Sequence, residues 1–260
     1  MPLVTLPLPL IELFALVYLR LMGFILTAPV FSSTEIPTKI QAGLGFGLAL
    51  ILTMAVSQDP QSLPELGLSF FFALVREFLL GIISGFLISW VVEGVVIGMQ
   101  MVGFQMGFSI VNTIDPTTGS SISILASFQV RLALLVFLVG GMYRHFLEAV
   151  AASYRIVPIG AAVFSPGQGQ SIIDTVGLAL RISIVLAATP IVSLMLVKIG
   201  LGILARTVPQ MNVFVVGFPL TIGAGLLATA VVIPQFIIGV DHLFGQSLDR
   251  MILFWRSAAP

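Results

Sequence analysis

The residues of this chain that could perform covalent chemistry are few and poorly placed for it. The only histidines are His145 and His242, and the sequence has no HExxH motif and no carboxylates at metal-ligand spacing. The segment GFSI resembles a serine elbow, but Ile110 stands where that motif needs a second glycine, and Ser109 has no recognisable base. Because cysteine is absent, there is no thiolate nucleophile and no Cys-ligated metal. We therefore expect no enzymatic activity, no metal site and no cofactor.

A second set of reactive groups consists of charges within or beside apolar runs: Arg20, Arg76, Glu77, Glu93, Arg131, Lys198 and Arg206. A charge near the centre of a bilayer costs about 3 kcal/mol or more unless it is paired or hydrated. These groups could form an ion or proton pathway, or they could pair between helices and subunits. Arg76 and Glu77 point about 100° apart on a helix, so each needs another partner, in this chain or in a neighbouring one. Equal totals of the two signs, eleven of each, favour pairing.

The composition identifies the environment that must hold these groups. The 260 residues are 58% apolar and 8% charged, with a mean hydropathy of +1.15, whereas soluble domains carry about 25% charged residues. We expect an integral membrane protein, and the zero net charge gives no reason to expect nucleic acid as a partner. The N-terminal MPLVTLPLPLIELF has no positive region and no small-residue cleavage site, so we interpret it as a mature start.

A membrane-crossing helix needs about 20 apolar residues, and the hydropathy pattern predicts six long helical regions. Their approximate limits are 10–30, 40–56, 66 to beyond 94, 122–153, 172–204 and 213–244. We expect the third to bend, or to end and restart, near Glu93 and Gly94. The fourth should break at GGMYRH, and Pro219 and Pro234 should interrupt the sixth. The predicted fold class is an all-α, multi-helix integral membrane protein of partly broken hydrophobic helices, with residues 1–260 forming one membrane-embedded domain.

Glycines one helical turn apart recur along the chain. Such a pair opens a flat strip on which another helix backbone can approach closely in lipid. The alternative is that membrane helices are simply rich in glycine. Four pairs favour a tightly packed helical assembly: Gly43/Gly47, Gly81/Gly85, Gly94/Gly98 and Gly103/Gly107.

The segment GMQMVGFQMGFSIVNTIDPTTGSSISI, residues 98–124, combines flexible thioethers, rings and glycine with a polar turn. Asp115-Pro116 reads as the turn that ends the preceding helix. Non-helical backbone inside a membrane assembly must be buried by protein or line a water-filled cavity. The segment could form an apolar constriction that closes a pore by excluding water, or an ordinary re-entrant turn packed under its neighbours. Its chemistry leaves both interpretations open.

Four patches of sequence resemble the FliR family of flagellar type III export-gate proteins, which includes counterparts in virulence secretion systems. They are GFQMGFSIVNTIDP, SYRIVPIG, LGILARTVPQMNVFVVGFPLTIGAGL and the N-terminal RLMGFILTAPVFSSTEIPTKIQAGLGFGLAL. Together they span essentially the whole chain.

The resemblance implies a helical hetero-oligomeric gate, formed with FliP and FliQ next to FlhB in the basal body of the bacterial inner membrane. Such a gate passes unfolded flagellar subunits and is closed from within by a loop, here residues 103–123. The implied plug residues are Phe104, Gln105, Met106, Phe108, Ile110, Asn112 and Asp115. Residues expected to be buried charges, or to pack against subunits, are Arg76, Glu77, Glu93, Arg206, Pro209, Gln210, Phe214, Gly217 and Pro219.

Two other functions remain alternatives at this point. The equivalent subunit of a virulence type III secretion system would carry similar motifs, which do not separate the two systems. A self-contained secondary transporter would be expected to show inverted halves around a midplane site, and the sequence shows no such halves.

Overall fold

The computed structural model describes residues 8–32, 36–56, 63–64, 66–108, 124–164, 166–210 and 212–259. Within these ranges the chain forms seven α-helices and no β-strand, which confirms the all-α class. The helices are α1 (Leu8–Thr27), α2 (Thr38–Ala55), α3 (Leu68–Met106), α4 (Ile124–Val139), α5 (Met142–Ile156), α6 (Pro166–Thr207) and α7 (Val213–Ala258).

Most of these helices are long and apolar enough to cross a membrane. By length and composition there are five candidate spans in the described part of the chain, or six if α4 and α5 form one broken span. Helix α3, with 39 residues, has an axis about 58 Å long, roughly twice the hydrocarbon thickness of a bilayer. The multi-helix membrane class is confirmed.

The predicted interruptions of two helices differ from the structure. Helix α3 does not end near Glu93 and Gly94, whereas the alternative of a bend there stays a prediction. A β-carbon added to Gly94 would lie 2.8 Å from the carbonyl oxygen of Ala179, so this glycine serves close packing and not a break. Helix α7 continues through Pro219 and Pro234 and ends at Ala258 instead of near 244. Each proline removes one backbone hydrogen bond, a loss that neighbouring groups can offset in membrane helices.

The break predicted at GGMYRH is present. Helix α4 ends at Val139 and α5 begins at Met142, and between them Gly141 has a φ of +73° in the left-handed region that favours glycine. Helix α5 differs from the others because it is amphipathic: Arg144 and Arg155 are exposed, whereas its opposite face is buried.

The chain divides into two compact units. Unit 1 comprises Met1–Trp90, Gly141–Thr175 and Phe244–Pro260, and unit 2 comprises Val91–Gly140 and Val176–Leu243. This division does not test whether the chain forms one membrane-embedded domain, which stays a prediction.

A buried ion pair lies at the centre of unit 1. Arg20 of α1 is 2% exposed and Glu77 of α3 is fully buried. The guanidinium donates twice to the carboxylate, from Nε to Oε2 at 2.5 Å and from Nη2 to Oε1 at 3.0 Å. Glu77 is therefore paired within this chain, with a partner 57 residues away.

The remaining donors of Arg20 reach the segment after α5. Nη1 donates to the Ser153 hydroxyl at 3.3 Å, and both Nη1 and Nη2 donate to the Val157 carbonyl at 3.1 Å. The Gly160 N–H donates to Glu77 Oε1 at 2.8 Å, and the centroid of the Tyr154 ring lies 4.4 Å from the guanidinium carbon of Arg20. The pair therefore joins α1, α3, α5 and the turn that follows α5.

Glycine brings the backbones of α1 and α3 into contact beside this pair. A β-carbon on Gly81 would overlap the carbonyl oxygen of Arg20, and one on Gly85 would lie 2.7 Å from that of Phe24. From the opposite side, a β-carbon on Gly23 would lie 2.8 Å from the Ile82 nitrogen. In unit 2, a β-carbon on Gly98 would lie 2.6 Å from the carbonyl oxygen of Ser183 in α6. The close-packing interpretation is confirmed for these pairs, whereas Gly43 and Gly47 face open space.

The end of α7 closes unit 1. The Val163 N–H donates to the Ala258 carbonyl at 3.0 Å, and Gln168 Nε2 donates to the carbonyls of Val163 and Ser257 at 2.7 and 3.0 Å. Trp255 is buried and donates from Nε1 to the Ser84 hydroxyl of α3 at 2.7 Å. These contacts fix the C-terminal helix against α3 and the segment before α6.

We predict that Gly81→Ala destabilises unit 1, because the added methyl group meets a backbone atom that cannot rotate away. Overpacking of this kind costs about 1–3 kcal/mol or more. Gly43→Ala is the matched control, since nothing lies within 4 Å of its β-carbon. Thermal unfolding of single chains reconstituted in lipid nanodiscs, followed by tryptophan fluorescence, measures the difference. Equal midpoints for the two variants would contradict the close-packing account.

A second prediction concerns the ion pair. Glu77→Ala leaves a buried guanidinium without its carboxylate, a loss of about 3–5 kcal/mol in comparable cases. Arg76→Ala, one residue earlier on an exposed position, is expected to change the free energy of unfolding much less. Denaturant titration of both variants, reconstituted as single chains in lipid nanodiscs, provides the comparison, and a small effect of Glu77→Ala would show that the pair contributes little.

Candidate functional site

The apolar segment predicted to close a pore begins at the C-terminal end of α3. Gly107 has a φ of +94°, its N–H donates to the Phe104 carbonyl at 3.1 Å, and the Phe108 N–H donates to the Gly103 carbonyl at 3.1 Å. This pattern is a Schellman motif, which satisfies the last carbonyls of a helix through a left-handed glycine. Helix α3 therefore ends at Met106, and the expectation that Asp115-Pro116 ends it is wrong.

Met106 lies beneath α7 and is fully buried. A β-carbon on Gly225 would lie 2.7 Å from the Met106 sulfur, so glycine at 225 makes room for the thioether. The Thr221 hydroxyl shares its one proton between two acceptors, the Met106 carbonyl at 3.3 Å and the Phe218 carbonyl at 3.1 Å. Met106 therefore fastens the end of α3 to α7 in unit 2.

The neighbours of Met106 are more accessible. Phe104 is 59% exposed, and Gln105 accepts a hydrogen bond from Lys198 Nζ of α6. Phe108 is half-buried. The other predicted plug residues, Ile110, Asn112 and Asp115, lie outside the described residues, as does Ser109.

Phe108 lines an apolar cavity of about 420 Å³ in unit 2. Its wall is formed by the first turns of α4 and the middle of α7, and the one hydroxyl there, on Thr229, donates to the Gly225 carbonyl at 2.8 Å. The lining residues are Phe108, Ile124, Leu125, Phe128, Leu226, Thr229, Ala230 and Ile233. Phe108 and Ile124 are the described residues that flank segment 109–123, and both line this apolar cavity.

The residues predicted as buried charges or subunit contacts divide into two groups. Glu77 and Gly217 are buried within the chain, and the Gly217 β-carbon position lies 3.5 Å from Leu201. The side chain of Phe214 lies outside the described part. Six others are exposed in the single chain: Arg76, Glu93, Arg206, Pro209, Gln210 and Pro219. Their packing against other subunits stays a prediction.

The groups considered for catalysis do not form a site in the described chain. His145 Nδ1 lies 3.7 Å from Glu148 Oε2, one helical turn away on the exposed face of α5. Among the described residues, no cluster of three His, Asp or Glu side chains could hold a metal ion.

Sequence reasoning missed several residues that position the segment. Thr221 and Gly225 face the end of α3, and Lys198 contacts Gln105. It also missed Arg20 as the partner of Glu77. For Thr221 and Gly225 the sequence did carry a signal. The small side chains of TIGAG, residues 221–225, indicate a place where another helix can approach closely.

Comparison with known proteins identifies the family of this chain. The profile described as "Bacterial export proteins, family 1" matches residues 11–247. The chain is 30% identical to the flagellar biosynthetic protein FliR of Bacillus subtilis (strain 168), over 92% of both proteins. It is 29% identical to the Escherichia coli (strain K12) FliR, over 90% of this chain and 88% of that protein.

A relative from another system matches over a shorter stretch. The surface presentation of antigens protein SpaR of Shigella sonnei is 29% identical over 55% of this chain and 56% of its own length. The resemblance to the FliR family is confirmed by the extent of the flagellar matches, and the chain belongs to family 1 of the bacterial export proteins.

Proposed function

We propose that this protein closes the flagellar type III export gate of the bacterial inner membrane and admits unfolded flagellar subunits through it. The full-length similarity to FliR proteins carries the assignment as an export-gate subunit. The candidate spans and the flagellar relatives place it as a multi-pass protein of the inner membrane. The flagellar system is favoured over the virulence system because the FliR proteins match about nine-tenths of the chain, against 55% for SpaR.

In this proposal, the plug is the segment from Phe104 to Asp115 together with its continuation to residue 123. An apolar constriction closes a pore when water cannot enter it at acceptable free energy. Phe104 and Phe108 are accessible enough to contribute rings to such a constriction. The proposal assigns Met106 a different part, since its burial under α7 supports a role as anchor.

The Schellman motif supports this assignment mechanically. It fixes the direction in which the chain leaves α3, because Gly107 must keep a left-handed backbone. Thr221 and Gly225 hold the preceding residue to α7. A plug fastened at its root could be displaced by cargo and return to the same position.

The proposed partners are FliP and FliQ in the gate, with FlhB beside it. Apolar surface on unit 2 supports such an assembly: Leu227, Val231 and Ile238 of α7 are each more than 70% exposed. A patch of this kind on a membrane protein faces lipid or another subunit. The proposal also assigns seven residues to contacts with these subunits: Arg76, Glu93, Arg206, Pro209, Gln210, Phe214 and Pro219.

Catalysis has no place in the proposal. The matched family is one of export proteins, and the proposed work is to exclude water and then to admit an unfolded chain. No observation in the described chain favours the secondary transporter, whose midplane site would require convergent polar groups.

We predict that deleting residues 109–115 opens a leak in the assembled gate, because the anchor at Met106 stays while the loop becomes seven residues too short to close the passage. The double variant Phe104→Ala/Phe108→Ala is expected to leak less, since backbone still fills the passage. Ion conductance of cells or of vesicles containing the complex measures both. Phe71→Ala, an exposed ring of unit 1, is the control, and conductance equal to it after the deletion would reject the plug.

A further prediction concerns assembly. The chain expressed alone in mild detergent is expected to aggregate, because its exposed apolar faces lack partners. Co-expression with FliP and FliQ of the same bacterium should give a monodisperse complex in size-exclusion chromatography. A stable, monodisperse single chain that does not bind either protein would refute this part of the proposal.

A further inference from the structure

Lys198 occupies an unusual place on the surface of unit 2. It is exposed on α6 within an apolar run, and Met195, Leu196, Ile199 and Ile203 around it are each more than half exposed. An ammonium on such a face must find an acceptor when the face is covered, because an unpaired charge in an apolar environment is costly.

The acceptor that this chain supplies is a neutral amide. Lys198 Nζ donates to Oε1 of Gln105 on α3. The carboxylates described in this unit are Glu93 and Asp241, and neither forms an ion pair with Lys198. Glu93 lies twelve residues before Gln105 on α3, a distance of about 18 Å along the helix axis. Within the described chain the charge of Lys198 is therefore uncompensated.

The pair presents several unused donors in one place. An ammonium has three N–H groups and a side-chain amide has two, and within the described part of the chain only one of these five donates a hydrogen bond. A carboxylate has two oxygens and about four acceptor sites. Lys198 and Gln105 therefore match an acidic side chain in charge and in hydrogen-bonding capacity.

The surroundings fit a helix rather than a soluble ligand. Met101 is exposed on α3 one turn before Gln105, and Met195 is exposed on α6 one turn before Lys198. One turn after Lys198, a β-carbon on Gly202 would meet nothing within 4 Å. We call the five residues Met101, Gln105, Met195, Lys198 and Gly202 the Lys198 face. It combines apolar surface with a glycine that permits close backbone approach.

A lipid headgroup fits this position less well. Arg206 is exposed in the last turn of α6, and a cation at a helix end is placed to reach headgroups. Lys198 lies eight residues earlier, about 12 Å from Arg206 along the helix axis. Its ammonium is also held sideways against α3 by Gln105 and does not extend toward the helix end.

We propose that the Lys198 face docks an apolar helix of another membrane subunit, and that Lys198 and Gln105 bind an aspartate or glutamate of that helix. The inference rests on the proposed function, because it requires a membrane partner in the export gate. It adds the chemistry by which one such partner is recognised: a single carboxylate within an otherwise apolar helix. Because the contact includes Gln105, docking also holds the end of α3 at the root of the proposed plug.

The sequence makes a direct test possible, since Lys39 and Lys198 are the only lysines of the chain. A carbodiimide joins a lysine amine to a carboxylate only when the two are in contact, and it does not couple a guanidinium in this way. The complex of the full chain with FliP and FliQ, purified in mild detergent, is treated with carbodiimide and the linked peptides are mapped by mass spectrometry. We expect a link from Lys198 to an Asp or Glu in an apolar helix of another subunit.

Matched variants assign the link. Lys198→Arg keeps the charge and should retain the complex while abolishing the link, whereas Lys39→Arg should retain both. Lys198→Met leaves the partner's carboxylate unpaired and is expected to reduce the recovered complex by about tenfold or more. A complex that is recovered undiminished with Lys198→Met would overturn the proposal.

The remaining outcomes are also decisive. A link from Lys198 only to an acidic residue of this chain, to a second copy or to a lipid would overturn the proposal, as would no link at all. In each of these cases co-purification with FliP and FliQ would leave the proposed function standing. Failure of the chain to co-purify with either export protein would instead count against the proposed function itself.

Discussion

A guanidinium group can be buried only when its charge is balanced and each of its N–H groups has an acceptor. Arg20 meets this condition through one carboxylate, one hydroxyl and one backbone carbonyl, contributed by α3, α5 and the turn after α5. Each acceptor has to be within hydrogen-bonding distance at the same time. The requirement therefore fixes the relative positions of these elements of unit 1 more narrowly than apolar packing would.

Close backbone approach provides the second constraint, and it depends on the first. Glu77 can reach Arg20 in a bidentate geometry because Gly23, Gly81 and Gly85 let α1 and α3 approach until backbone atoms meet. Dispersion and weak polar contacts between backbones replace the hydrophobic effect as the source of helix association in lipid. In unit 2 the same device recurs, where Gly94 and Gly98 lie against α6 and Gly225 accommodates Met106, and there no charged side chain is buried among the described residues.

Much of this architecture could be predicted from the sequence, because helix periodicity and hydropathy are local properties. The helices, the break at Gly141 and the packing role of the paired glycines follow from short patterns. The partner of Glu77 could not be identified, since a helix position reveals that a charge needs a partner but not which distant residue meets it. The end of α3 was misjudged for a related reason. Asp-Pro is a strong local turn signal, yet Gly107 had already ended the helix through its left-handed backbone. Likewise, prolines 219 and 234 disrupt isolated helices but lie within a continuous α7.

The span of the Arg20 network has a consequence for biosynthesis. Its acceptor at Val157 lies 137 positions after Arg20, so the ribosome has delivered more than half of the polypeptide before the charge can be fully satisfied. Until then, the nascent N-terminal segment carries a cation that must stay hydrated or borrow acceptors from the insertion machinery. Contacts so distant in the chain form slowly, and final settling of the first helix in the bilayer is therefore a late event of maturation.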